Sequence, residues 1–247
     1  MATALAHLES PDDELHYPCS DGLPMADNTE QAAWIMSIFG NLNASLPDFV
    51  AADLLWYPVK GQLTRWAPDV FVAIGRPKGP RSSYKQWEEG GVPPHVAFEI
   101  LSPSNTPAEM ESKLRAYESL GVQEYYVYDP DRPLLRGYVA RGAALIPIAN
   151  MNGWVSPRLG IRFTFRPASG MSLFRPDGSQ FLTFEELDAE ARLTKAELVF
   201  ERQRVEVASQ RAEAADQRAE EERQRADAAT QRAEHLAARL LELGVEP

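Results

Sequence analysis

A strand–helix–strand pattern between residues 95 and 128 constrains the fold of this chain more than any other feature. Residues 95–102 (HVAFEILS) form an apolar run of strand length, and residues 124–128 (EYYVY) form a second one. Between them, Thr106 is a favourable N-cap for a helix and Gly121 a favourable stop. Because strands joined through a helix almost always lie parallel in one sheet, this order predicts an α/β fold.

Further strands and a helix are predicted on both sides of this unit. Asp27 or Asn28 can cap a helix that ends at Leu46-Pro47, and residues 67–74 (APDVFVAI) form another buried strand. Shorter strands are predicted at residues 49–57, 134–140, 144–148 and 161–165. We therefore predict a mixed central sheet flanked by helices, in four segments: an N-terminal arm (1–27), the α/β domain (28–170), a connector (171–190) and a long helix (191–243).

The C-terminal segment carries a strict seven-residue repeat. Gln-Arg-Ala recurs at 210–212, 217–219, 224–226 and 231–233. Val205, four alanines and Leu240 form one seam, and a second seam runs from Ala208 to Leu243 with Glu222 inside it. Two interpretations remain open. Residues 196–243 form a coiled coil that makes the protein a homo-oligomer, or they form a single solvated helix supported by alanine propensity and local ion pairs.

Charge and cysteine content exclude several classes of protein. The formal net charge is −11, to which the tail from Ala196 onward contributes −4. Affinity for nucleic acid depends mainly on Lys and Arg, so the chain is not a generic DNA-binding protein. One cysteine, Cys19, allows no intrachain disulfide, and the histidines lack zinc-ligand spacing. With no signal sequence and no apolar run of membrane-spanning length, we expect a cytoplasmic protein outside the membrane.

Three polar residues occupy places where the pattern favours apolar ones. Asp69 begins the 67–74 strand, Glu99 lies inside the 95–102 strand, and Lys113 lies on the helix that follows. A carboxylate inside an apolar strand costs several kcal/mol unless it is paired or binds a metal. Two strand-borne carboxylates can hold a divalent cation such as Mg²⁺. A nearby lysine can then orient or deprotonate the attacking water and offset developing phosphate charge.

Each residue also has a purely structural interpretation. Asp69 can cap the end of a strand, and Glu99 can form a buried ion pair with Lys113 or Arg115 without any metal. For each residue taken alone, the structural interpretation is stronger than the catalytic one. Together, in this order along the chain, the three residues favour a metal site.

The order of these residues also resembles a known family. From about Asn28 to Phe165 the chain is similar to a bacterial endonuclease family formerly described only as a domain of unknown function, within the PD-(D/E)xK restriction-endonuclease-like superfamily. The resemblance rests on Pro68-Asp69-Val70, Glu99 to Ser104 (EILSPS), Lys113-Leu114, Tyr117, Gly121-Val122, Glu124 to Val127 (EYYV), Asp129-Pro130 and the Gly153-x-x-Ser156-x-x-Leu159-Gly160 stretch.

The resemblance implies a Mg²⁺-dependent DNA endonuclease, with Mn²⁺ as a substitute. Asp69, Glu99 and the backbone carbonyl of Ile100 would hold the metal. The superfamily lysine two residues after the glutamate is replaced by Leu101, and Lys113 on the next helix matches the family's substitute. Glu109, one turn earlier, is an accessory candidate.

The chain departs from the family a second time near its first helix. Where the family often has a histidine near the first helix, this chain has Glu30-Gln31, so Glu30 is a weak accessory candidate. The loop 76–85 carries four cations and is either a DNA-contacting flap or a solvated loop. The alternative function is a catalytically degenerate nuclease fold that acts as an interaction protein through its coiled coil, which the acidic net charge favours.

Overall fold

The computed structural model describes residues 15–132, 134–168 and 170–242, with backbone alone for the last three of them. The chain divides between Leu187 and Asp188 into two compact units. The first unit contains the whole sheet, and the second consists of most of the last helix. The predicted arm lies outside the described residues up to position 14.

In the described part of the chain, three helices form where the sequence supplies caps: α1 (Thr29–Ser45), α2 (Pro107–Leu120) and α3 (Phe184–Glu242). The Asn28 side chain accepts from the backbone N–H of Gln31 at 2.8 Å and starts α1. Thr106 caps α2 in the same way, and Gly121 ends it with φ 88°, a conformation that favours glycine. The predicted bounds of both helices are therefore confirmed.

The strands of the described residues are β1 (Asp48–Ala52), β2 (Trp56–Tyr57), β3 (Val70–Pro77), β4 (Tyr84–Lys85), β5 (Val96–Ile100), β6 (Glu124–Asp129), β7 (Leu134–Arg141), β8 (Ala144–Pro147), β9 (Arg162–Arg166) and β10 (Gly170–Phe174). Six of them form a mixed central sheet in the order β1-β3-β5-β6-β7-β8. Strands β5 and β6, which α2 connects, are parallel as predicted, and the other neighbouring pairs of this sheet are antiparallel.

Alternate residues of the central strands fill two hydrophobic clusters, one on each face of the sheet. One cluster joins Val70, Phe98 and Tyr126 to α1 and to the β9–β10 hairpin. The other joins Phe71 and Ala97 to α2 and to the aromatic residues around it. Because side chains alternate between faces along a strand, residues 69 and 99 fall on the face that α2 covers.

The segment predicted as a connector contains regular structure. Strand β10 pairs antiparallel with β9 and buries Met171 and Leu173. Helix α3 begins at Phe184 rather than at 191, because Thr183 and Glu186 form a capping box: each side chain accepts from the other residue's backbone N–H, at 3.2 and 2.8 Å. The strand predicted over 49–57 is likewise divided, since the chain leaves the central sheet after Ala52.

Helix α3 is solvent-exposed over nearly all of its second-unit length. Its 59 residues correspond to about 88 Å at 1.5 Å per residue. Leu243, the last residue of the predicted seam, lies outside the described residues. Of the helices in the described ranges, none has both the length and the apolar character needed to cross a bilayer.

Candidate active site

Strand register brings Asp69 and Glu99 together. Val70 of β3 pairs with Phe98 of antiparallel β5, so Asp69 and Glu99 occupy the next opposed positions. The backbone N–H of Ile100 donates to Oδ2 of Asp69 at 2.6 Å. The Asp69 carboxylate therefore lies against the end of β5 that carries Glu99, as the sequence analysis expected.

Glu99 is buried and has a partner for each oxygen. Its residue is 2% exposed. Oε2 accepts from Nζ of Lys113 at 2.8 Å, and Oε1 accepts from the hydroxyl of Tyr117 at 2.7 Å. The ion pair and these hydrogen bonds offset part of the cost of burying the charge.

One face of α2 supplies the groups that meet Glu99. Glu109, Lys113 and Tyr117 are spaced four residues apart and so lie in one line along the helix. Glu109 is half-exposed, and its carboxylate lies 3.8 Å from the Lys113 ammonium. Glu109 therefore lies at the exposed end of this line, and Lys113 lies between its carboxylate and that of Glu99.

Aromatic packing fixes the orientation of Tyr117. Its ring is fully buried and makes edge contacts with Trp66 and Tyr125, with centroids 6.0 and 5.1 Å apart, and a tilted contact with Trp56 at 6.2 Å. Such contacts favour defined ring geometries. Tyr117 therefore packs in the core beside the site. Sequence analysis missed its hydrogen bond to Glu99, for which no pattern in the sequence gave a signal.

Burial raises the pKa of both carboxyl groups, and the charge of Glu99 raises that of Asp69 further. For Asp69, burial is the main cause and the negative charge of Glu99 the next, and together they outweigh the Ile100 N–H and Lys113, so its pKa lies well above the usual value. Burial also raises the pKa of Glu99, against the stabilising effect of Lys113. The pair thus carries more negative charge than this pocket solvates well, which is the condition a divalent cation would relieve.

A third carboxylate, Asp53, lies at the mouth of the site. It follows β1, has a positive φ of 48°, and donates its backbone N–H to the Asp69 carbonyl at 3.1 Å. Burial and the charge of Asp21 raise the pKa of Asp53, while Lys113 lowers it. The sequence gave no indication of this residue, because an aspartate after a strand is an ordinary turn residue.

Gln31, rather than its neighbour Glu30, reaches the end of β5. The buried Gln31 side chain donates from Nε2 to the carbonyl of Ile100 at 2.7 Å and accepts from the Asp27 backbone N–H at 2.8 Å. Glu30 is exposed and lines a separate groove with Trp34 and Phe184. The structure thus does not bring Glu30 to Asp69 and Glu99, and the Ile100 carbonyl already has one hydrogen-bond donor.

The loop between β5 and α2 is held by Asp27. The Asp27 carboxylate accepts from the hydroxyls of Ser102, at 2.5 Å, and Ser104. Those two hydrogen bonds are the main reason that the pKa of Asp27 is lowered. The contact links the start of α1 to the loop that places α2 and hence Lys113.

Known proteins are similar to this chain over part of its length. The family model Uma2, described as a "putative restriction endonuclease", matches residues 8–169. That match spans more than half of the chain. The chain belongs to the Uma2 family. No curated protein matches it.

A solved structure, a "putative nuclease belonging to DUF820" from Anabaena variabilis ATCC 29413, is similar at 15% sequence identity and a TM-score of 0.39. The similarity covers 53% of this Uma2 chain and 72% of that one.

The donor set of this Uma2 site fits a hard cation that keeps part of its water shell. Oδ1 of Asp69 has no hydrogen bond within the described part of the chain, and Glu99 retains lone pairs beside its two bonds. Among the described residues, no three His, Cys, Asp or Glu side chains cluster closely enough to hold one ion. Two carboxylates plus water suit Mg²⁺, which accepts few protein ligands.

The cations of the loop 76–85 are engaged within the protein. Arg81 pairs with Glu89 at 2.6 Å, and Lys85 pairs with Glu88 at 3.1 Å. Arg76 donates to the Glu89 carbonyl, and Lys78 donates to a carbonyl of α1. Of the two interpretations left open, these contacts favour the solvated loop over the DNA-contacting flap, because the cations already have partners within the protein.

Proposed function

We propose that this Uma2 protein is a metal-dependent phosphodiester hydrolase that acts as a DNA endonuclease. The observation that carries the proposal is the convergence of Asp69, Glu99 and Lys113 at one edge of the sheet, with raised pKa values for both carboxyl groups. Family membership supports the nuclease class, and the donor set supports Mg²⁺, with Mn²⁺ as a substitute. Asp69 and Glu99 are the proposed metal ligands.

Each residue of the site has a separate role in the proposed reaction. A bound Mg²⁺ would supply Lewis-acid activation of water and of a phosphate oxygen. Asp69 offers a free oxygen toward it, while Tyr117 and Lys113 hold the Glu99 carboxylate in place. The carbonyl of Ile100 keeps a second lone pair for a metal or its water, since Gln31 uses only one.

Lys113 acts as a cation rather than as a base. Burial alone would lower the pKa of Lys113, but the Glu99 carboxylate more than offsets that effect, so the pKa is raised. An ammonium at neutral pH accepts no proton from water. We therefore assign Lys113 to offsetting the charge that develops on the phosphate and to orienting its neighbours.

A cleavage assay tests this function. Purified protein is incubated with single- and double-stranded DNA in Mg²⁺, in Mn²⁺ and in EDTA, beside a Glu99→Gln variant. The exposed Asp131 supplies the matched control Asp131→Asn. We expect metal-dependent cleavage by wild type and by Asp131→Asn, and loss of it in EDTA and in Glu99→Gln. Cleavage that persists in Glu99→Gln would contradict the proposed site.

The alternative is an interaction protein that assembles through α3. Large apolar side chains such as Leu198, Phe200 and Val205 are more than half exposed on this helix, which favours a contact with another chain. On this alternative, no metal-dependent cleavage occurs while residues 196–243 still associate. Assembly through α3 does not by itself decide between the two functions, since a nuclease can also be a homo-oligomer.

A further inference from the structure

The seam of α3 is flanked by opposite charges. In each repeat an alanine (212, 219, 226 or 233) follows an arginine and precedes an acidic residue. The arginine and the acid are two positions apart, so at 3.5 residues per turn they project to opposite sides of the alanine. The arginines are Arg204, Arg211, Arg218, Arg225, Arg232 and Arg239, and the acids are Glu206, Glu213, Glu220, Asp227 and Glu234. One side of the seam is therefore basic and the other acidic.

Within the described residues, most of these charged side chains form no ion pair along their own helix. Among the described residues, Arg204 pairs with Glu201 at 3.0 Å and Arg225 pairs with Glu221 at 3.8 Å, and neither partner belongs to the acidic side. Apolar side chains of the seam are also exposed to solvent: Leu198 is 54% exposed, Val205 62% and Leu236 61%. Leu198 and Val205 are seven residues apart on the first seam, and Leu236 lies on the second. Exposed apolar side chains of this size on such a stripe favour a partner helix.

Symmetry decides the orientation of a second copy on this seam. In a parallel pair, the twofold axis runs along the helices, so the basic side of one helix faces the acidic side of the other. In an antiparallel pair, the axis is perpendicular, so arginines face arginines and acids face acids. Alanines allow the axes to approach to about 8 Å, at which distance a long arginine reaches the partner's carboxylates. Three charges oppose the parallel pair: Arg223 beside the seam, and Glu201 and Glu222, which occupy positions of the second seam and would each face their own copy.

We propose that α3 pairs with α3 of a second copy of this chain, parallel and in register, along the seam from Leu198 to Leu236. The alanines form the contact, Leu198, Val205 and Leu236 bury their exposed surface there, and each basic side meets an acidic side. The proposal does not rest on nuclease activity, and its test involves no cleavage.

Sedimentation equilibrium of the full chain tests the pairing. The expected mass is twice 27.5 kDa. Leu198→Glu with Val205→Glu places two charges in the seam and should weaken association about a hundred-fold or more. The matched control is Gln210→Glu with Gln217→Glu, which adds the same charge on the opposite side of the helix and should leave the mass unchanged. A single-chain mass for wild type, or a mass above two chains, would overturn the proposal.

Disulfide formation tests the orientation separately. In a Cys19→Ser background, Ala233→Cys places a thiol on the seam near one end, where a parallel, in-register pair brings the two copies together. Gln231→Cys, which points away from the seam, is the control. We expect rapid formation of a covalent dimer by Ala233→Cys alone. A two-chain mass without that disulfide, or equal cross-linking of both variants, would show that the parallel register is wrong.

Discussion

Replacing Asp69 with asparagine is expected to abolish metal-dependent cleavage and at the same time to stabilise the metal-free protein. Loss of a metal ligand removes about 4 kcal/mol of transition-state stabilisation, which lowers the rate about a thousand-fold. The gain in stability follows from the raised pKa of Asp69, since burial and Glu99 disfavour its charged form.

The pH dependence of this gain has a definite sign. A carboxyl group whose folded pKa lies above its unfolded value stabilises the fold below that unfolded value, near 3.8, and this stabilisation is lost as the pH rises through the folded pKa. At neutral pH the metal-free protein has lost some or all of this stabilisation, whereas asparagine does not titrate and loses none. We expect a higher Tm for Asp69→Asn at pH 7, by about 2–4 °C for each kcal/mol recovered.

Thermal unfolding in EDTA, at pH 4 and at pH 7, measures this effect. The difference in Tm between Asp69→Asn and wild type should be larger at pH 7 than at pH 4. Asp131→Asn, at an exposed position, should show no such difference. If Asp69→Asn destabilises the protein at both pH values, the electrostatic description of the site is wrong.

The second large effect is expected at Lys113. Lys113→Met removes the ammonium 2.8 Å from the buried Glu99 and leaves that carboxylate without its cation. Breaking a buried pair in this way costs about 3–5 kcal/mol, which corresponds to roughly 10 °C in Tm for a chain of this size. The loss should grow with pH, because the pKa of Glu99 rises further without Lys113 and its charged form becomes more costly.

A double-mutant cycle separates the pair from other effects. Glu99→Gln combined with Lys113→Met removes both charges and should restore most of the stability that Lys113→Met loses. Lys85→Met is the matched control, because its pair with Glu88 is far more exposed and should cost about 1 kcal/mol or less. Urea unfolding of these variants gives the coupling free energy. A coupling near zero would show that Glu99 does not depend on Lys113.

The core of the site could be predicted because it follows from short-range patterns. Asp69 and Glu99 interrupt apolar strands, and the crossover helix between β5 and β6 fixes where Lys113 can lie. The antiparallel register of β3 and β5 then brings the two carboxylates together where these neighbouring strands meet, at the start of β3 and the end of β5. These relations depend on strand alternation and helix periodicity, both of which are visible in the sequence.

Other contacts depend on geometry that the sequence does not encode locally. Glu30 and Gln31 are adjacent on α1, and which of them faces β5 depends on how the helix packs on the sheet. The position of Asp53 depends on the path of the chain after β1, and the start of α3 depends on the Thr183–Glu186 capping box. The partners of the loop cations lie both nearby in sequence and on α1, so charge counting alone could not locate them.

Metal binding is the most direct test of the central claim that Asp69 and Glu99 hold a divalent cation. Calorimetric titration of MnCl₂ into wild type, Asp69→Asn and Asp131→Asn measures it without any assumption about the substrate. We predict saturable binding to wild type and to Asp131→Asn, and its loss in Asp69→Asn. Equal binding by all three proteins, or saturable binding by none, would contradict the claim.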